Sequence, residues 1–155
     1  MFRIKKKLGE ILIEKGLITP EQLKNALEEQ ARTKEFLGKI LLDRNQIKEP
    51  DLLTALSEQF NIPIISLKYR YIDWEFAKSF GASLVLDYKC FPLEKDEWSV
   101  TFAITNPLDA WALKKIEEEA RGLKIKLVLV SGRDILEAIQ RYRQYLQRDV
   151  SGLFR

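Results

Sequence analysis

One pattern of 24 residues is written twice near the start of this chain, and nothing else in the sequence constrains the fold as strongly. KLGEILIEKGLITPEQLKNALEEQ (7–30) is followed, after the spacer ARTKE, by FLGKILLDRNQIKEPDLLTALSEQ (36–59). At an offset of 29 residues, ten columns are identical: Leu8/Leu37, Gly9/Gly38, Ile11/Ile40, Leu12/Leu41, Ile18/Ile47, Leu23/Leu52, Ala26/Ala55, Leu27/Leu56, Glu29/Glu58 and Gln30/Gln59. Most are apolar at the spacing of a helix that buries one face, and a unit used twice can bury that face against its own copy. Gly16 in the first copy and Asn45 in the second are the residues best suited to a left-handed helix end. Thr19-Pro20-Glu21-Gln22 then reads as a new helix start, with Thr19 as cap, Pro20 in the first turn and Gln22 reaching back. Pro50 falls one position later than Pro20, still inside a first turn where its missing N–H is harmless. The expectation is two antiparallel helix pairs, the first helix spanning about Lys6 to Lys15, in a four-helix subdomain over residues 1–60.

Gly9/Gly38 and Gln30/Gln59 are shared columns that a helix core does not require. A glycine near a helix start lets a ligand approach the backbone, where free N–H groups favour an anion. It equally permits close helix packing, and a glutamine can brace a loop instead of meeting a ligand. Arg3, Lys5, Lys6 and Lys7 ahead of the first helix read either as a solvated terminus or as cations facing an anion.

Residues 61–155 read as a second, α+β subdomain. Asn61-Ile62-Pro63 ends the repeat, and 64–67 is a short strand or extended link. CFPLE (90–94) and the alternating stretch 98–104 form a hairpin. Asn106-Pro107-Leu108-Asp109 starts a helix with Leu113, Ile116 and Ala120 inward, closed by Gly122. A strand at 125–130 and a helix capped by Ser131 and running to about Gln147 complete the order. LKYRYIDW (67–74) mixes aromatic and basic residues as single-strand binders do, but the favoured reading is aromatic packing between the subdomains, with a short helix from Trp74 to Phe80. RYRQYLQR (141–148) reads as a solvated last turn whose cations suit a helix C-terminus, with binding to acidic partners as the other reading.

Composition removes several function classes. The 26 basic and 23 acidic residues leave a net charge of +3, too balanced to argue for nucleic acid. There is no histidine and one cysteine, Cys90, so the commonest general base is absent and a zinc site would need carboxylates alone. No GxxxxGK[ST] run occurs, which excludes a P-loop motor within these residues. No stretch approaches a membrane span, and the expectation is a cytoplasmic protein that is not membrane-inserted.

The repeated basic-Leu-Gly-x-x-apolar-apolar-x-x-Gly-x-Ile-x-x-x-x-Leu-x-x-Ala-Leu-x-x-Gln pattern, with its five-residue spacer, resembles the N-terminal domain of type II secretion and type IV pilus assembly ATPases, in the version that binds cyclic di-GMP. The β-hairpin–α–β–α order resembles the second half of that domain. The resemblance implies a regulatory or docking module rather than an enzyme, either a piece of a longer ATPase or a homologue acting in trans. It implies as partner the cytoplasmic part of an inner-membrane secretion or pilus platform protein, or the assembly ATPase, and hence recruitment to the inner membrane. It implies no required cofactor, with cyclic di-GMP as ligand. Carried onto this sequence, the ligand residues are Lys7, Leu8, Gly9 and Gln30 in the first copy and Leu37, Gly38 and Gln59 in the second. The family's arginine is Lys7 here and Phe36 in the second copy, so one half of the site lacks a cation. The nucleotide reading needs Gly9 and Gly38 beside an open groove shared by the copies; sealed glycines leave the docking reading.

Overall fold

The computed structural model describes residues 6–152, so Arg3 and Lys5 lie outside the described residues. Contacts divide the chain into two compact units, Met1–Ile62 and Pro63–Arg155. The architecture is α+β, with the repeat and the three-stranded sheet in different units.

The first unit holds α1 (Leu8–Glu14), α2 (Pro20–Thr33), α3 (Leu37–Asp43) and α4 (Glu49–Phe60). The expected turn chemistry is present in both copies. Gly16 and Asn45 have φ of 71° and 57°, the left-handed conformation that ends a helix without Cβ strain in glycine and at low cost in asparagine. At the start of α2 the Thr19 hydroxyl accepts from Gln22 N at 3.1 Å, while Gln22 Oε1 accepts from Thr19 N at 2.9 Å. Two orphan N–H groups are thereby satisfied reciprocally. The apolar columns fill the core: Leu12, Leu41, Ala26 and Ala55 are fully buried, and Ile11, Ile40, Ile18 and Ile47 nearly so.

Packing exchanges the copies. α1 packs against α4 and α3 against α2, so each copy's first helix lies on the other copy's second. The ion pairs repeat that exchange. Lys15 Nζ meets Glu58 Oε1 at 2.7 Å, and the equivalent Arg44 guanidinium meets the equivalent Glu29 carboxylate. A contact from i to j matched by one from j to i is the signature of a twofold arrangement, here between two halves of one chain.

The second unit holds α5 (Trp74–Lys78), α6 (Ala82–Leu86), β1 (Phe91–Lys95), β2 (Ser99–Ile104), α7 (Ala110–Ala120), β3 (Lys124–Leu129) and α8 (Gly132–Gly152). The sheet order is β1-β2-β3, with β1 antiparallel and β3 parallel to β2. Every residue of β2 is buried, as a central strand covered on both faces requires. Pro92 sits on the edge strand at an irregularity in its pairing, where a missing N–H breaks no inner ladder. One cluster joins Phe91, Ala103 and Val130 of the sheet region to Ile135, Ala138, Ile139 and Tyr142 of α8. Ile64 adds a parallel bridge to Leu129.

Four expectations change here. α6 has no counterpart in the sequence reading. The cap of α7 is Asp109, whose carboxylate accepts from Ala112 N at 3.1 Å, because Asn106 is used one step earlier to accept from Leu108 N at 2.9 Å in a turn. The 141–148 stretch is not a solvated last turn, since α8 continues to Gly152 and Tyr142 is buried in the core. The aromatics of 67–74 are not packed as a group: Tyr69 and Tyr71 are 89% and 85% exposed, whereas Trp74 packs within the second unit against Phe91, Tyr142 and Tyr145.

Cys90 has no reactive character. It is 1% exposed, and burial, helped by the negative charge of Asp109, pushes its thiol up to about 12. The native protein is expected to leave a thiol reagent untouched at pH 8 and to react stoichiometrically once unfolded in guanidinium; rapid labelling of the native chain contradicts this burial.

Candidate functional site

The two Leu-Gly columns open α1 and α3 in the same way. Lys7 and Phe36 are the N-cap residues, both extended, and Leu8 and Leu37 turn inward at 5% and 8% exposure. Gly9 and Gly38 are buried too, and the reason for glycine is visible. A Cβ on Gly9 would stand 2.6 Å from Leu23 Cδ1, and one on Gly38 would stand 2.7 Å from Leu52 Cδ1. Each glycine therefore admits a leucine of its own copy's second helix, which is the close-packing alternative. Their Cα faces look at side chains, not at open space.

The remaining ligand candidates separate from the glycines. Leu23, which covers Gly9, and Gln30 are seven residues apart on α2, about 10 Å along a helix axis. Gln30 Nε2 donates to Glu35 O at 3.1 Å, so this glutamine braces the spacer between the copies. Gln59 has no such partner; its Oε1 is buried without a hydrogen bond among the described residues, a condition Gln46 Oε1 shares. Lys7 is exposed, its own N–H donating to Glu10 Oε2 at 3.3 Å, and its ammonium forms no ion pair among the described residues. Phe36 is 37% exposed at the matching position.

A feature that the repeat pattern concealed lies along α2. Ile13, Pro20, Leu23, Leu27 and Ala31, with Lys24 and Glu28 at the rim, line an open groove of about 450 Å³. Leu27 is 44% exposed, yet its twin Leu56 is 3% exposed. The helix ends explain part of the difference. α4 stops at the left-handed Asn61, and buried Ile62 folds back with its N–H on Ser57 O at 3.2 Å, the bond pattern whose trailing residue packs on the last apolar turn. α2 runs two residues further in register, to Thr33, before its own left-handed Lys34, so no aliphatic residue returns over Leu27. No group of His, Cys, Asp and Glu suited to a metal occurs among the described residues, and no described helix is long and apolar enough to cross a membrane.

A family model described as the MshEN domain matches residues 60–149. The matched residues fall almost wholly in the second unit, where the sequence resemblance is the less specific. The fold is similar to a structure of MshE with cdg at a TM-score of 0.79 and 23% identity, covering 88% of this chain and 99% of that one. It is also similar to the N-terminal domain of XpsE in two crystal forms, at TM-scores of 0.69 and 0.55 and 16% identity, covering 91% of this chain and 96% and 97% of those. No curated protein matches the sequence. Matched by the family model over more than half its length, and carrying the same architecture, the chain belongs to the MshEN domain family, the N-terminal domain class of type II secretion and type IV pilus assembly ATPases.

Proposed function

We propose that this chain is a regulatory and docking module of a type II secretion or type IV pilus machine and catalyses no reaction itself. Its partner is the cytoplasmic domain of an inner-membrane platform protein or the assembly ATPase, and that partner brings it to the membrane. The observation that carries this reading is the broken symmetry of the repeat. Two equivalent helices present the same leucine, and one copy seals it while the other leaves it lining a groove. A half-exposed leucine in an apolar groove rimmed by Lys24 and Glu28 is how a helix-in-groove contact begins.

A second reading keeps cyclic di-GMP as ligand of the tandem motifs. It is favoured by the twofold exchange of ion pairs, which suits a ligand of twofold symmetry, by the unpaired Lys7 ammonium and by the orphaned Gln59 carbonyl oxygen. MshE, whose structure with cdg this fold resembles, supports it. Guanine N–H donors would satisfy Gln59 Oε1, and Lys7 would meet a phosphate or guanine O6/N7. The sealing of Gly9 and Gly38 under Leu23 and Leu52 counts against this reading and ranks it second; it requires those flexible leucine tips to turn aside and open the backbone to the ligand.

One experiment separates the readings. The chain is expected to retain the platform protein's cytoplasmic domain with or without cyclic di-GMP, and Leu27→Asp is expected to abolish retention without unfolding the protein. Absence of any platform or motor partner in a crosslinking survey overturns the docking reading. In parallel calorimetry, saturable cyclic di-GMP binding weakened about tenfold by Lys7→Ala supports the ligand reading. A flat titration removes it.

A further inference from the structure

The 67–74 stretch is built as a rigid mount. Leu67 at its start and Ile72 five residues on are 2% and 4% exposed and belong to the core cluster of the second unit. The Asp134 carboxylate, in the first turn of α8, accepts from Leu67 N at 2.7 Å and from the Ser66 hydroxyl at 3.2 Å. Arg70 N closes a turn on Leu67 O at 3.3 Å. Between these anchors Tyr69 and Tyr71 project almost fully into solvent. Folding does not account for two large rings held outward on a segment pinned at both ends.

The carboxylates beside them are engaged within the fold, whereas two cations stand outside any ion pair among the described residues. Arg70 is met by Glu94 at 3.5 Å, Glu137 by Arg133 at 3.3 Å, and Asp134 is occupied by the strap itself. Lys68 and Arg141 pair with no carboxylate among the described residues; Lys68 lies over the Tyr69 ring at 5.3 Å and Arg141 over Trp74 at 5.2 Å. Both line one cleft of about 30 Å³, room for a single small polar group, whose other charged walls are the engaged carboxylates of Asp134 and Glu137.

We infer that the Lys68–Tyr71 strap, with Arg141, is a docking surface for an acidic peptide segment of a partner protein. Tyr69 and Tyr71 are the anchoring rings, and Lys68 and Arg141 meet its carboxylates. Tyrosine and arginine are the residues that concentrate binding energy at interfaces, and a pre-ordered strap spares the ordering cost. Two free cations suit two carboxylates. They are too few to track a nucleic-acid backbone, which needs a continuous positive groove across several nucleotides. This surface lies wholly in the second unit and does not depend on what the repeat binds.

Fluorescence anisotropy of the whole chain tests it. The probe is a labelled synthetic peptide of alternating Glu-Asp pairs and single Leu or Phe residues, beside its Lys-for-acid counterpart and a labelled oligothymidylate. The acidic peptide alone is expected to bind saturably, with affinity falling as salt rises. Tyr69→Ala with Tyr71→Ala, and separately Lys68→Glu, should weaken it about tenfold or more at unchanged melting temperature. The paired Tyr→Phe variants should retain binding. No saturable binding of the acidic peptide, binding indifferent to loss of the rings, or tighter binding of the oligothymidylate each overturns the proposal.

Discussion

Truncating Leu12 to alanine is expected to cost the repeat unit about 2–5 kcal/mol, and truncating Leu41 is expected to cost the same within error. Both leucines are fully buried, and they occupy identical columns of two copies that pack reciprocally. A unit of roughly 60 residues lies near the lower end of the usual 5–15 kcal/mol, so either change removes a large share of its stability. The readout is available without labels. All three tryptophans, Trp74, Trp98 and Trp111, fall in the second unit, whereas far-UV circular dichroism is sensitive to the helices of both. In urea, Leu12→Ala should bring forward part of the far-UV transition while the fluorescence midpoint stays in place. Leu27→Ala, on the exposed twin position, should move neither by more than about 0.5 kcal/mol. A fluorescence midpoint that falls with the far-UV signal would show one cooperative core and refute the division into two.

Where sequence proved a sufficient guide, the physics was local. Gly16, Asn45 and the Thr19–Gln22 box announce helix ends because left-handed caps and reciprocal N–H satisfaction need particular residues at fixed offsets. The strands at 99–104 and 124–129 were visible because their residues must pack on sheet faces. What stayed hidden depends on partners distant in sequence. α6 is five residues long, too short for periodicity to show. Tyr142 looked solvated because its neighbours Arg141 and Arg143 are charged, yet a helix places adjacent residues on different faces. The candidate site shows the same divide. The identity of Gly9 and Gly38 was legible, but their purpose required seeing Leu23 and Leu52 seated above them. The open groove at Leu27 was illegible for a sharper reason: the columns at Leu27 and Leu56 are identical, and the difference in exposure arises in part from the different ends of α2 and α4, which the repeat pattern does not show.

Phe91→Ala should destabilise the second unit by about 3–5 kcal/mol. Phe91 is fully buried on β1 and stands edge-on to two rings, with centroids 5.9 Å from Trp74 and 6.0 Å from Tyr142. Its loss opens a cavity against both and forfeits the edge-to-face attraction, about 0.5–1.5 kcal/mol per pair beyond the area lost. Phe91→Leu fills most of the space but not the ring contacts, so it should cost markedly less. Trp74 makes the effect visible, since its near-ultraviolet dichroism depends on the fixed rings around it. The same cluster holds Leu67 and Ile72, the anchors of the strap that carries Tyr69 and Tyr71. Phe91→Ala should therefore weaken acidic-peptide binding through loss of the mount, with a lowered melting temperature. Tyr69→Ala with Tyr71→Ala should weaken it with the melting temperature intact. If Phe91→Ala leaves both the aromatic dichroism and the melting temperature unchanged, the core is not organised around this ring, and the strap's rigidity has another source.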